Sequence, residues 1–214
     1  MKFDKQFYKS LLFLAIPVIL QNMVNSFINI LDTIMVGKLG EVAIAAVGLG
    51  NQVFFFYNMI LFGITSGGGI FVAQYWGKKD ISNIRRSVGI TLSCSIGVSL
   101  VFFVVAQTIP ELVLGFYSQD LEVITLGANY LKITAWSYPI FAISMVFSLA
   151  FRSTEQPKVP MVATIISLCT NALFNFLLIF GLVLNGTTIF PRLGINGAAV
   201  ATIIARIIEC VLLL

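Results

Sequence analysis

The sequence predicts an all-α integral membrane protein with six transmembrane helices, and three observations carry that prediction. Of 214 residues, 58% are hydrophobic and only 10% charged, with a mean hydropathy of +0.99, against roughly 25% charged in soluble domains. Apolar runs long enough to cross a bilayer recur six times, at about 11–36, 46–76, 87–109, 121–150, 159–184 and 194–214. Basic residues also alternate from side to side of these runs as a membrane topology requires.

The first run follows Lys2, Lys5 and Lys9. No small-x-small site follows Leu20 and five further runs come after, so it is a retained span rather than a cleaved signal peptide. Gly37–Gly40 turns the chain into the second run, and Gly77–Asp80 makes a basic connection to the third. Ile109-Pro110-Glu111 opens a longer segment containing Asp120 and Glu122, expected to hold an interfacial helix running into the fourth span. Arg152 to Pro160 is a polar loop whose prolines suit the start of the fifth helix. Asn185 to Gly194 leads into the sixth. The runs at 46–76 and 121–150 exceed one bilayer thickness and require tilt, kinks or protruding ends. The sixth run reaches Leu212-Leu213-Leu214 without a polar flank, so the reading frame is expected to continue. Residues 1–214 are read as one unit of six spans, with no soluble domain.

With the N-terminus inside, Lys2, Lys5, Lys9, Lys78, Lys79, Arg85, Arg86, Arg152 and Lys158 face the cytoplasm, and only Lys38 and Arg192 face outward. Nine against two sets the orientation. The net charge of +4 is therefore topological and gives no reason to expect nucleic acid. Cys94, Cys169 and Cys210 stand isolated in apolar spans, as small buried residues. There is no histidine, which excludes Ser-His hydrolysis and HExxH chemistry. No GxxxxGK[ST] loop exists for a nucleotide. The chain is expected to be no enzyme and to carry no cofactor.

Asp32 is the anomaly. It lies in an apolar run without a nearby cation, where a charge costs at least about 2.5–3.5 kcal/mol. Asn22, Asn25, Asn29 and Asp32, at spacings of 3, 4 and 3, share an arc of about 80°. This polar stripe suits a proton or cation site facing a cavity. Asp32 stands about one turn from Gly37, in the outer half of the membrane. Desolvated among amides there, it is suited to loading and releasing protons near neutral pH.

The fifth span repeats the pattern with Thr164, Ser167, Asn171 and Asn175, again within about 80°. Asparagine carbonyl oxygens suit a hard cation or a protonated partner. In the second span Asn51, Asn58 and Thr65 share a face. Such amides also tie membrane helices together, so each stripe has a structural as well as a functional reading. A salt bridge from Lys132 is the structural alternative for Asp32, because Arg206 has Glu209 three residues on. Pro17 breaks the first helix fifteen residues before Asp32, as a tolerated kink or a hinge. Ser66–Gly69 is a second weak point. Gly89, Ser93 and Gly97 form a small-residue packing seam.

Several stretches together resemble the multidrug and toxic compound extrusion (MATE) transporters. They are Pro17 and Asp32-Thr-Ile-Met-Val-Gly37-Lys-Leu-Gly40, Ala45–Gly48, Ala73-Gln-Tyr-Trp-Gly77, Arg152-Ser-Thr-Glu-Gln-Pro157, and Gly194-Ile-Asn-Gly197 through Thr202. The resemblance runs in order from about residue 8 to the end. It implies that residues 1–214 form the N-terminal six-helix transmembrane lobe of a twelve-helix transporter, the second lobe being absent from this chain. It also implies a cation-coupled antiporter, driven by proton or sodium, that expels organic cations and amphipathic drugs across the plasma membrane. In similar transporters the residues matching Asp32, Asn171, Asn175 and a sixth-helix threonine, here Thr202, form the ion site. Sodium would then sit at Asp32, Asn171 and Asn175. Pro17 takes the hinge role, and Asn25 and Tyr130 join the cavity, with Asn22, Asn29 and Asn58 as further lining. Some members carry a second carboxylate where this chain has Asn175. The partners implied are the drug, the bilayer, and a C-terminal lobe or a second copy of this chain. The alternatives are a related lipid-linked oligosaccharide flippase, which needs cavity cations for phosphate, and a homodimeric six-helix channel or assembly module.

Overall fold

The computed structural model of the protein describes residues 5–184 and 187–214. Lys2 and the side chains of Lys5 and Lys9 lie outside the described residues. Among the described residues, six segments are long and apolar enough to cross a membrane, in the expected places. Helix α1 spans Lys5–Gly37, α2 Glu41–Gly77 and α3 Ile81–Thr108. The short α4 (Pro110–Gly115) precedes α5 (Leu121–Thr134) and α6 (Tyr138–Ser153), and α7 (Lys158–Phe180) and α8 (Ile195–Leu213) complete the bundle.

Local chemistry sets the boundaries. Gly40, with φ 114°, starts α2 in a conformation that disfavours a side chain. Asp80 caps α3 by accepting from the Asn83 backbone N–H at 3.1 Å. Asp120 caps α5, accepting from Glu122 and Val123. It therefore starts a new helix, and α4 does not run on into the fourth span as expected from sequence. That span is two helices joined by a 3₁₀ turn at Ala135–Ser137, with Pro139 in the first turn of α6. A proline is tolerated in a helix's first turn, where its missing N–H has no partner to lose.

The fifth helix ends at Phe180 rather than 184. Gly181 takes φ 76°, and the chain enters a hairpin of β1 (Leu182–Leu184) and β2 (Thr187–Phe190) with Leu182 opposite Phe190. Pro17 does not break α1, which stays helical across it. Membrane helices absorb the lost hydrogen bond by local adjustment.

Helix α8 lies along α7, α2 packs on α3 and α5, α3 on α6, and α1 leans mainly on α7. One core gathers around Tyr57, Leu61, Leu131 and Tyr138, and a second around Val36, Tyr130, Ile179 and Ala198. Close approach needs glycine at Gly197, where a Cβ would lie 2.5 Å from the Leu178 carbonyl oxygen, and at Gly68, where it would meet Thr91. Ser66–Gly69 is thus a packing point within a continuous helix, not a weak one.

Two packing expectations are corrected. Gly89, Ser93 and Gly97 face outward, and a Cβ at either glycine would meet nothing within 4 Å. The buried seam of α3 is Thr91, Ser95 and Ser99, of which Thr91 and Ser99 return their hydroxyls to their own helix backbone. Cys94 and Cys169 are exposed, and only Cys210 is buried. In lipid the outer surface is as apolar as the core, so an apolar cysteine is at home on either.

Candidate functional site

Between α1, α2, α5, α7 and α8 lies a cavity of about 490 Å³. Helix α7 turns Thr164, Ser167, Asn171 and Asn175 inward, all buried. One of them, Asn175, meets the acid of α1 and ties Asn171 to it. Asn175 Nδ2 donates to Asp32 Oδ1 at 2.7 Å and to Asn171 Oδ1 at 3.2 Å. One amide NH₂ thus bridges a half-buried carboxylate and a buried carbonyl. The other end of that amide, Asn175 Oδ1, is buried without a hydrogen-bond partner.

Thr202 lines the same cavity, but its hydroxyl donates to the Ala198 carbonyl at 3.0 Å rather than into the Asp32 cluster. Asn29, Asn58 and Tyr130 line the cavity as expected. Asn22 and Asn25 do not: Asn22 is exposed and Asn25 half-buried outside it. The buried face of α1 carries Pro17, Gln21, Ile28 and Val36. Taking 100° per residue, its centre is turned by tens of degrees from the asparagine stripe. What selects that face is the pairing of Gln21 and Asp32 with α7.

Lys132 is not the partner of Asp32. It pairs with Glu111 at 3.8 Å, both side chains well exposed. Arg206 pairs with Glu209 at 2.9 Å as expected. It also lies 4.4 Å from the Phe141 ring centroid and 5.9 Å from that of Phe54, at the cavity wall.

The sequence reading missed a second network, buried at Gln21, Thr164 and Glu209 and reaching the surface at Arg152, nearer the opposite end of the bundle from Asp32. Arg152 Nη2 donates to Gln21 Oε1 at 2.8 Å, and Gln21 Nε2 donates to Thr164 Oγ1 at 2.6 Å. Thr164 in turn donates to Glu209 Oε1 at 2.8 Å. This chain joins α6, α1, α7 and α8 and leaves Glu209 only 5% exposed. A usable signal was present, since Gln21 lies eleven residues from Asp32, about 20° away on the helical wheel. Arg152 offered none, because it read as a loop cation.

Comparison with known proteins supplies the wider setting. Residues 17–177 match the sequence profile of the MatE family. The chain is 34% identical over 203 residues to a probable multidrug resistance protein NorM of Rhizobium meliloti (strain 1021). It is 29% identical over 201 residues to the probable multidrug resistance protein YoeA of Bacillus subtilis (strain 168). These alignments cover 92% and 94% of the chain but 41% and 42% of the relatives. The chain therefore spans about two fifths of the length of the curated relatives it matches. Among solved structures, an outward-facing multidrug resistance MATE family transporter of the MOP superfamily superposes with a TM-score of 0.84 at 20% identity. A MATE in the bent conformation gives the same values, and both cover 96% of this chain and 44% of theirs. The fold is thus that of one lobe of such a transporter.

Proposed function

This chain belongs to the MatE family, a family of transporters, and from that premise we propose that it forms one six-helix lobe of a cation-coupled drug antiporter. The observation that carries the reading is the Asp32–Asn175–Asn171 cluster at the wall of the cavity. In this proposal the coupling ion, proton or sodium, loads at Asp32, and organic cations or amphipathic drugs leave in exchange. The N-terminus is cytoplasmic, the membrane is the plasma membrane, and a second lobe or a second copy of the chain completes the path.

The donor set fits a hard cation in kind. Asp32, Asn171 Oδ1 and the unpartnered Asn175 Oδ1 are oxygen ligands of the type such ions take. Asn175 holds its NH₂ against Asp32 while the carboxylate is charged. Neutralising Asp32, by a proton or by a cation, weakens that charge-assisted bond. Turning the amide then exchanges a donor for an acceptor, so the cluster has one arrangement for each loading state. An ion shifts a conformational equilibrium only by its differential affinity for the states, and this exchange supplies a difference. Thr202, Tyr130, Asn29 and Asn58 line the space beside it.

The hinge role proposed for Pro17 acquires a condition. Gln21 stands one turn beyond Pro17 and is held by Thr164 and Arg152. A bend at Pro17 moves the Gln21–Asp32 stretch of α1 only when that tie opens.

The test is Asp32→Asn in the full-length transporter, with energy-dependent efflux of a cationic dye measured in cells. Loss of efflux at unchanged protein level is expected. Efflux at the wild-type rate would refute the assignment.

A further inference from the structure

A second cavity, of about 570 Å³, lies on the far side of α2 from the first, between α2 and α3. On α2 its wall runs from Gly63 and Gly67 through Phe71 to Tyr75, twelve residues or about 18 Å of helix. On α3 it runs from Cys94 and Ile90 up to Arg86 and Asn83. The groove is therefore apolar along most of its length and polar at the end that meets the Gly77–Asp80 connection.

We propose that this groove binds an anionic phospholipid, with one acyl chain along the glycines of α2 and the headgroup phosphate at Arg86. Three observations support it. First, the groove exists because Gly63 and Gly67 have no side chains. A Cβ at either would meet nothing within 4 Å, so these glycines are not there to seat a helix of this lobe. Second, Arg86 makes no hydrogen bond or ion pair among the described residues. Lys78, Lys79 and Arg85 gather at the same end. The acid of the Gly77–Asp80 connection, Asp80, is already engaged, accepting from the Asn83 side chain at 2.6 Å and its backbone N–H at 3.1 Å. Third, the depth gradient matches a lipid. The cations stand at the end of two membrane-spanning helices, while Gly63, Ile64 and Cys94 lie several turns into the span, where acyl chains are the available occupant. Basic pockets between membrane helices at the interface are suited to acidic headgroups.

Native mass spectrometry of the full-length transporter in detergent tests this, with 1-palmitoyl-2-oleoyl phosphatidylglycerol and the corresponding phosphatidylcholine as probes. Phosphatidylglycerol is expected to bind more tightly. Arg86→Gln should cut that preference about five-fold, the worth of one basic residue at an acidic surface. Gly67→Leu, which fills open space, should weaken both lipids, while Arg192→Gln at the opposite end should leave both unchanged. Glycerol phosphate without acyl chains should not displace the lipid. Equal affinity for the two lipids, an Arg86→Gln variant with undiminished preference, or displacement by glycerol phosphate would each overturn the proposal. Because Arg86 is exposed, its variant stands even if Gly67→Leu fails to fold.

Discussion

Asn175 reaches from α7 to Asp32 on α1 with a 2.7 Å hydrogen bond, and no cation shares the carboxylate with it among the described residues. A hydrogen bond to a charged group contributes about 1.5–3 kcal/mol. Asn175→Ala in the full-length protein is therefore expected to reduce coupled dye efflux by at least about ten-fold while dye binding persists. Asn175→Asp places a second carboxylate beside the first, and the two acids should then titrate as a pair. Its efflux–pH profile should move relative to wild type; an unmoved profile would argue against the coupling role of this contact.

Glu209 holds two donors, Thr164 and Arg206, inside the membrane. Glu209→Leu strands Arg206 without its partner. Removing one member of a buried pair costs about 3–5 kcal/mol, and the low end applies because the Arg206 side chain keeps 26% exposure. Thermal unfolding in detergent should show a clear loss of stability. The double variant Arg206→Leu with Glu209→Leu should recover most of it, since no charge is then left unpaired.

Two glycines on spanning helices should respond oppositely to alanine. Gly197→Ala pushes a methyl into the Leu178 backbone, and since α8 can relieve this only by moving from α7, a loss of about 1–3 kcal/mol is expected. Gly97→Ala meets open space and should be neutral or stabilising by about 0.5–1 kcal/mol. Paired melting curves of the two variants check this.

Asp80, outside the membrane span, has its carboxyl held below the ordinary value of 3.8, first by the Asn83 side chain and then by the Asn83 backbone N–H. A lowered folded pKa means the cap's contribution is complete above the ordinary carboxylate range. It is lost as pH falls through the lowered value. Amide hydrogen exchange at the start of α3 should therefore quicken, relative to the helix middle, only in strong acid. Asp80→Asn, which keeps a capping oxygen without the charge, should remove that acid dependence.

The sequence by itself determined the class, the six spans, and the two polar features that meet at the cavity, Asp32 and the α7 stripe. A carboxylate in a long apolar run is visible without coordinates because its cost in lipid is large whichever way it points. The Thr164–Asn175 stripe was legible for the same reason. Arg206 and Glu209 could be paired from spacing alone, since three residues along a helix bring side chains together.

Only the tertiary structure decided which face of each helix turns inward. In water, apolar periodicity marks the buried side; in a bilayer Phe27 and Phe62, each 63% exposed, are as comfortable outside as Tyr57 is inside. The asparagine stripe therefore pointed only partly at the cavity, and the glycine seam of α3 faced outward. The link from Arg152 through Gln21 and Thr164 to Glu209 joins four helices across separations of up to 143 residues. Such a link depends on how the helices are arranged around one another. Spacing along a single helix carries no information about that arrangement. Asp32 could be found by its energetic cost, whereas its pairing with Asn175 followed only from the packing of α1 on α7.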